Sequence, residues 1–91
     1  MTAALWLVEL HRSFNKQNIA ALSPKILRAE ERHFDPTDTA RLHELLLDLV
    51  RQERGTTKVD LSDYRIRVRK RGSTVWGWYG VDPSGRGAVK R

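Results

Sequence analysis

The chain has no cysteine among its 91 residues, only three prolines and one methionine, and no apolar run near the ~20 residues needed to cross a bilayer. Without cysteine there is no disulfide framework, no thiolate metal site and no thiol nucleophile, and the expected setting is a reducing interior such as the cytoplasm. The apolar opening, residues 2–10, has no basic region before it and no small-residue cleavage site after it, so it reads as part of the fold rather than as a secretion signal. The length suits one domain with one hydrophobic core.

Acidic residues are scarce where basic ones concentrate. Residues 1–63 hold nine Lys/Arg against ten Asp/Glu, whereas residues 64–91 hold eight Lys/Arg against Asp82 alone. The whole net charge of +6 therefore arises in the last third. Charge gathered in one structural unit attracts polyanions or an acidic protein surface better than the same charge dispersed.

Residues 1–55 read as mainly helical, 56–82 as a β-hairpin region and 83–91 as a basic, frayed tail. Ala3, Leu7, Leu10 and Phe14 recur at helical spacing, although the short apolar run 5–10 also suits a strand. Ser23-Pro24 resembles a helix start, predicting a second helix to about His33. Asp35-Pro36 would open a third, over 36–54, with Leu42, Leu45, Leu46 and Leu49 on one stripe and Gly55 as its stop. Leu47 and Val50 widen that stripe, either filling the core or forming a dimer seam, so monomer and homodimer both remain open.

From Tyr64 the period becomes two: Tyr64, Ile66 and Val68 alternate with Arg65, Arg67 and Arg69. Gly72-Ser73 signals a hairpin turn into a second strand over 74–81, and a short strand is expected near 57–61. A two-residue loop sets Arg69 opposite Trp76 and Arg67 opposite Trp78; a three-residue loop slips the register and turns both tryptophans inward. Asp82-Pro83-Ser84-Gly85 reads as a turn. The predicted fold is α+β, with two or three helices on one face of a C-terminal antiparallel hairpin or small sheet, an arrangement compatible with a winged helix.

The functional expectation is non-catalytic nucleic-acid binding, with DNA ahead of RNA. Arg65, Arg67, Arg69 and Arg71 would grip phosphates, and Lys70, Lys90 and Arg91 would add attraction at longer range. Trp76 and Trp78 would stack on bases or act as wedges. Four phosphate contacts on duplex DNA imply a log–log salt slope of about −3.6. The rival expectation is a small regulator or inhibitor docking the same strip on an acidic protein. Alternatively, exposed arginines simply protect a strand edge.

No cofactor or metal is expected. His11, His33 and His43 lack metal-ligand spacing, the glycines do not precede a helix, and no serine sits in a nucleophile elbow. Glu44 and Asp48 fall four apart on the long helix, as a solvated face would place them.

One resemblance concerns element order: a strand over Trp6-Val8-Leu10, a helical region with Phe14 and Lys16, then Tyr64-Arg65-Ile66-Arg67-Val68. This loosely resembles the small endoribonuclease toxins of bacterial toxin–antitoxin modules. It implies metal-independent cleavage of messenger by arginine, lysine, tyrosine or histidine. The long 36–54 helix is additional to that pattern, and the glycine-rich tail replaces its last strand.

Overall fold

The computed structural model describes residues 3–15, 17–18, 20–55, 58–82 and 86–90. Its strands are β1 (Leu5–Ser13), β2 (Leu22–His33), β3 (Tyr64–Lys70), β4 (Trp76–Val81) and β5 (Gly87–Lys90), and its one α-helix is α1 (Thr39–Arg54). The strands form one antiparallel sheet in the order β2-β1-β3-β4-β5, and α1 lies between β2 and β3 in the chain. The class is therefore α+β, but the expected two or three helices on a C-terminal hairpin give way, among the described residues, to one α-helix on five strands. The described residues form no winged helix.

The front of the chain is where the helical reading fails. Residues 5–10 carry apolar groups on both parities; in β1, paired with β2 and β3, Val8 and Leu10 face the helix and are fully buried, while Leu5 and Leu7 on the other face are half-buried. Four residues at spacings of four, three and four are weak against such tertiary pairing, and Phe14 is exposed instead of buried. Pro24 lies near the start of β2, an outer strand that can spare a ladder N–H.

β2 packs Leu27 against the core and carries charged side chains that form ion pairs at the helix flank. Arg28 reaches Glu53 at 3.8 Å, and Arg32 pairs with Glu30 and reaches Asp48 at 3.4 Å. Asp48 thus joins the edge strand to the helix, while Glu44 pairs with Arg41 on α1 at 3.1 Å.

The helix itself starts three residues later than expected. Asp38 is the N-cap, accepting from the Arg41 N–H at 3.2 Å. Asp35 caps the turn before it, accepting from the Thr37 N–H at 2.9 Å and hydroxyl at 2.7 Å. Leu42, Leu45, Leu46, Leu49 and Val50 are buried against Val8, Leu10, Ile66, Val68, Tyr79 and Val81, closing one core. Val50 belongs to that core and not to a dimer seam.

Residues 58–60 have no regular structure and lead into a 3-10 turn, Leu61–Asp63, where a strand was expected; Thr57 is outside the described residues. The register of β3 on β4 sets Arg69 opposite Trp76 and Arg67 opposite Trp78. The turn is one residue earlier than Gly72-Ser73: the Ser73 N–H donates to the Lys70 carbonyl at 2.9 Å, and Gly72 takes φ 88° at the second central position. Arg71 and Thr74 consequently lie outside the ladder. The expected frayed tail contains β5, paired with β4 from Trp78 to Val81; Pro83 to Gly85, the expected turn, lie outside the described residues. No helix among the described residues is long and apolar enough to cross a membrane.

Candidate nucleic-acid interface

Period-two geometry puts Arg65, Arg67 and Arg69 on the sheet face away from α1, beside Trp76 and Trp78 of the next strand. They do not share one environment. Exposure rises along β3, from 0% at Arg65, through a 29% exposed Arg67 side chain and a half-buried Arg69, to exposed Lys70 and Arg71.

Arg65 is a structural residue, which corrects the expectation of four arginines presented together. Its Nη1 donates to the carbonyl oxygens of Ser62 and Tyr64, both at 2.8 Å. Burial pulls its guanidinium below the ordinary arginine value, opposed by the charges of Asp63, Asp60 and Asp82. The side chain lies flat because its cross-strand partner is Gly80. A Cβ there would overlap Arg65 Cδ and stand 2.5 Å from Nε.

Arg67 is held from two sides. Its Nε donates to Glu9 Oε1 at 2.5 Å, and its guanidinium carbon lies 3.9 Å from the centre of the Trp76 ring. Arg69 approaches the same ring at 5.1 Å, and its Nη1 donates to the Ser73 carbonyl at 3.0 Å. Trp76 is thus a platform for guanidinium groups. Trp78, half-buried opposite Arg67, has no ring or cation partner among the described residues.

Behind Arg67 lies a cluster that sequence reading did not select. Glu9 Oε1 is also 3.1 Å from His11 Nε2, and His11 Nδ1 is 2.9 Å from the Ser23 carbonyl oxygen. Burial pushes the Glu9 carboxyl up, but hydrogen bonds and charge from Arg67 and His11 outweigh it and hold the group below its usual value. A carboxylate, an imidazole and a guanidinium could together perform acid–base chemistry on a phosphodiester. Here Glu9 is 6% and His11 3% exposed, and both imidazole nitrogens are engaged. The arrangement suits positioning Arg67 better than proton exchange with a substrate. Glu9 and Arg67 are 58 positions apart, so only the strand assignment of β1 could have brought them together.

At the hairpin end, Arg69, Lys70 and Arg71 have no carboxylate partner among the described residues. Lys90 is the last residue of β5, with its backbone opposite Trp78, while Arg91 lies outside the described residues. No group of three or more metal-ligating side chains occurs among the described residues. Comparison with protein-family models, with curated proteins and with solved structures finds no match.

Proposed function

We propose that the protein binds single-stranded nucleic acid at the hairpin end of the sheet, with Arg69 on the face turned away from α1 and Lys70 on the opposite face of β3. The observation that carries this reading is the group Arg69, Lys70 and Arg71, unpaired with any described carboxylate and adjacent to two tryptophans. Arg69, Lys70 and Arg71 contact phosphates, while Trp78 offers a surface for an unpaired base, worth about 1–3 kcal/mol. Arg67, stacked on Trp76 and neutralised by Glu9, sets the shape of the surface and contributes little net attraction.

Two features favour a single strand over a duplex. β3 is the central strand of the sheet, so the hairpin does not project as a ribbon that could enter a major groove. The one helix spends its apolar stripe on the core, and no second α-helix among the described residues is free to read a groove. The proposed action is binding without catalysis, in a reducing compartment such as the cytoplasm.

Anisotropy titrations with labelled single-stranded DNA, single-stranded RNA and random duplex test this reading. Binding to a single strand at moderate salt, weaker on duplex and reduced about fivefold or more by Trp78→Ala, is the expected result. Absence of binding to all three would overturn the proposal and favour docking of the same cations on an acidic protein.

A further inference from the structure

A cavity of about 430 Å³ adjoins this surface, lined by the segment leading into α1, by helix-side residues of the sheet and by Trp76 and Trp78 themselves. Trp6, Leu42, Val68, Tyr79 and Val89 give it apolar walls, and Lys70, Ser73, Asp35 and Thr37 supply its polar groups. Its volume falls within the roughly 300–1,000 Å³ of ordinary small-ligand pockets. Trp6 is braced by Phe34, with ring centres 6.1 Å apart, and Tyr79 by a 3.0 Å hydrogen bond to His43. These walls are formed by packing within the protein and do not depend on a ligand.

We propose that this cavity receives one unpaired nucleobase of the bound strand, preferring a base that carries an amino group. The inference rests on the proposed function and extends it to base selection. Lys70 shares the parity of Val68, so it belongs to the cavity side of β3 while Arg69 belongs to the other. The cations at the hairpin end therefore flank the sheet edge on both sides. β5 pairs with β4 from Val81 to Trp78, and Arg91, which follows it, lies outside the described residues. A polynucleotide backbone rounding the hairpin end passes from Arg69 on one face to Lys70 on the other, with Lys70 meeting a phosphate near the cavity.

Asp35 supplies the selectivity. Both hydrogen bonds from Thr37 fall on Asp35 Oδ1, and Oδ2 has no partner among the described residues. Those two bonds hold the carboxyl below its ordinary value, so it is ionised at neutral pH. An ionised carboxylate accepts from an exocyclic amino group, as acidic side chains do from cytosine N4, and it repels the bare carbonyl of thymine at the same ring position.

The test compares short oligo-dC, oligo-dT and an oligo-dC interrupted by abasic sites, with cytidine monophosphate as a further arm. The wild-type chain should bind oligo-dC roughly fivefold or more tightly than oligo-dT, with the abasic strand weaker than oligo-dC. Asp35→Asn should erase the difference between oligo-dC and oligo-dT. Val89→Phe, on the short outer strand, should fill the cavity and reduce oligo-dC binding to the abasic level. Equal binding of all three strands by the wild-type chain overturns the cavity inference and leaves strand binding intact. Cytidine monophosphate binding as tightly as the oligonucleotide overturns a strand as the source of the base. Binding of none of these probes overturns the proposed function itself, and the inference falls with it.

Discussion

Replacing Gly80 by alanine places one methyl group against Arg65, the most deeply buried charged side chain among the described residues. The new Cβ would overlap Arg65 Cδ and approach Nε to 2.5 Å and Cζ to 3.0 Å. Arg65 cannot swing into water, because it is fully buried and two of its hydrogen bonds end on backbone carbonyls at 2.8 Å. Overpacking of this kind costs about 1–3 kcal/mol, and weakening one hydrogen bond to a charged group costs about 1.5–3 kcal/mol. Part of each penalty is relieved by relaxation, so the expected loss is about 2–4 kcal/mol. An unfolding entropy of about 2.1 cal/mol/K per residue over 91 residues converts this into a fall in Tm of about 10–20 °C. Thermal and urea unfolding followed by circular dichroism give the number. A double-mutant cycle with Arg65→Met should recover about 1–3 kcal/mol of coupling, because methionine bends away from the added methyl group. A loss below about 0.5 kcal/mol, or additive effects of the two changes, would refute the close fit of Arg65 over Gly80.

Three further outcomes follow from the same geometry. Glu9→Gln should destabilise the fold by about 1–3 kcal/mol at neutral pH, because it leaves Arg67 and His11 without their carboxylate. Since the folded protein holds the Glu9 carboxyl below its ordinary value near 4.5, its contribution is present above that pH and fades as pH falls through the folded value; urea titrations from neutrality into acid should show a shallower decline for Glu9→Gln. Leu46→Ala, at a fully buried position under the centre of the sheet, should cost about 2–5 kcal/mol in urea unfolding. Trp76→Ala should weaken strand binding less than Trp78→Ala in anisotropy titrations, because Trp76 already carries two guanidinium groups.

Legibility from sequence tracked how strongly each segment's pattern is tied to its own backbone period. The stripe Leu42, Leu45, Leu46 and Leu49 announces α1, and the alternation from Tyr64 to Arg69 announces β3, whereas its register on β4 stayed open between two loop lengths because alternation within one strand does not fix the turn. β1 was ambiguous because Leu5, Trp6, Leu7 and Val8 are apolar on both parities, which erases the period-two signal over residues 5–8. β2 hid behind Ser23-Pro24 and a run of charges whose purpose, pairing with Glu53 and Asp48 on α1, is visible only in three dimensions. The parity of Arg65 was readable, but its burial was not: that depends on the absent side chain at Gly80 and on the turn carrying Ser62. Glu9 and His11 are neighbours on one face of β1, but the Arg67 that completes their cluster is 58 positions away, and the cavity beside Asp35 likewise joins residues distant in the chain, so no local motif marks either.

The salt dependence of single-strand binding bears most directly on the central claim. Three phosphate contacts from Arg69, Lys70 and Arg71 predict a log–log slope of about −2.1 for a single strand, a loss of roughly 18-fold between about 50 and 200 mM salt. The triple variant Arg69→Gln, Lys70→Gln, Arg71→Gln should keep the wild-type circular dichroism spectrum and flatten that slope toward zero. An unchanged slope in the variant, or a wild-type affinity indifferent to salt, would contradict the account.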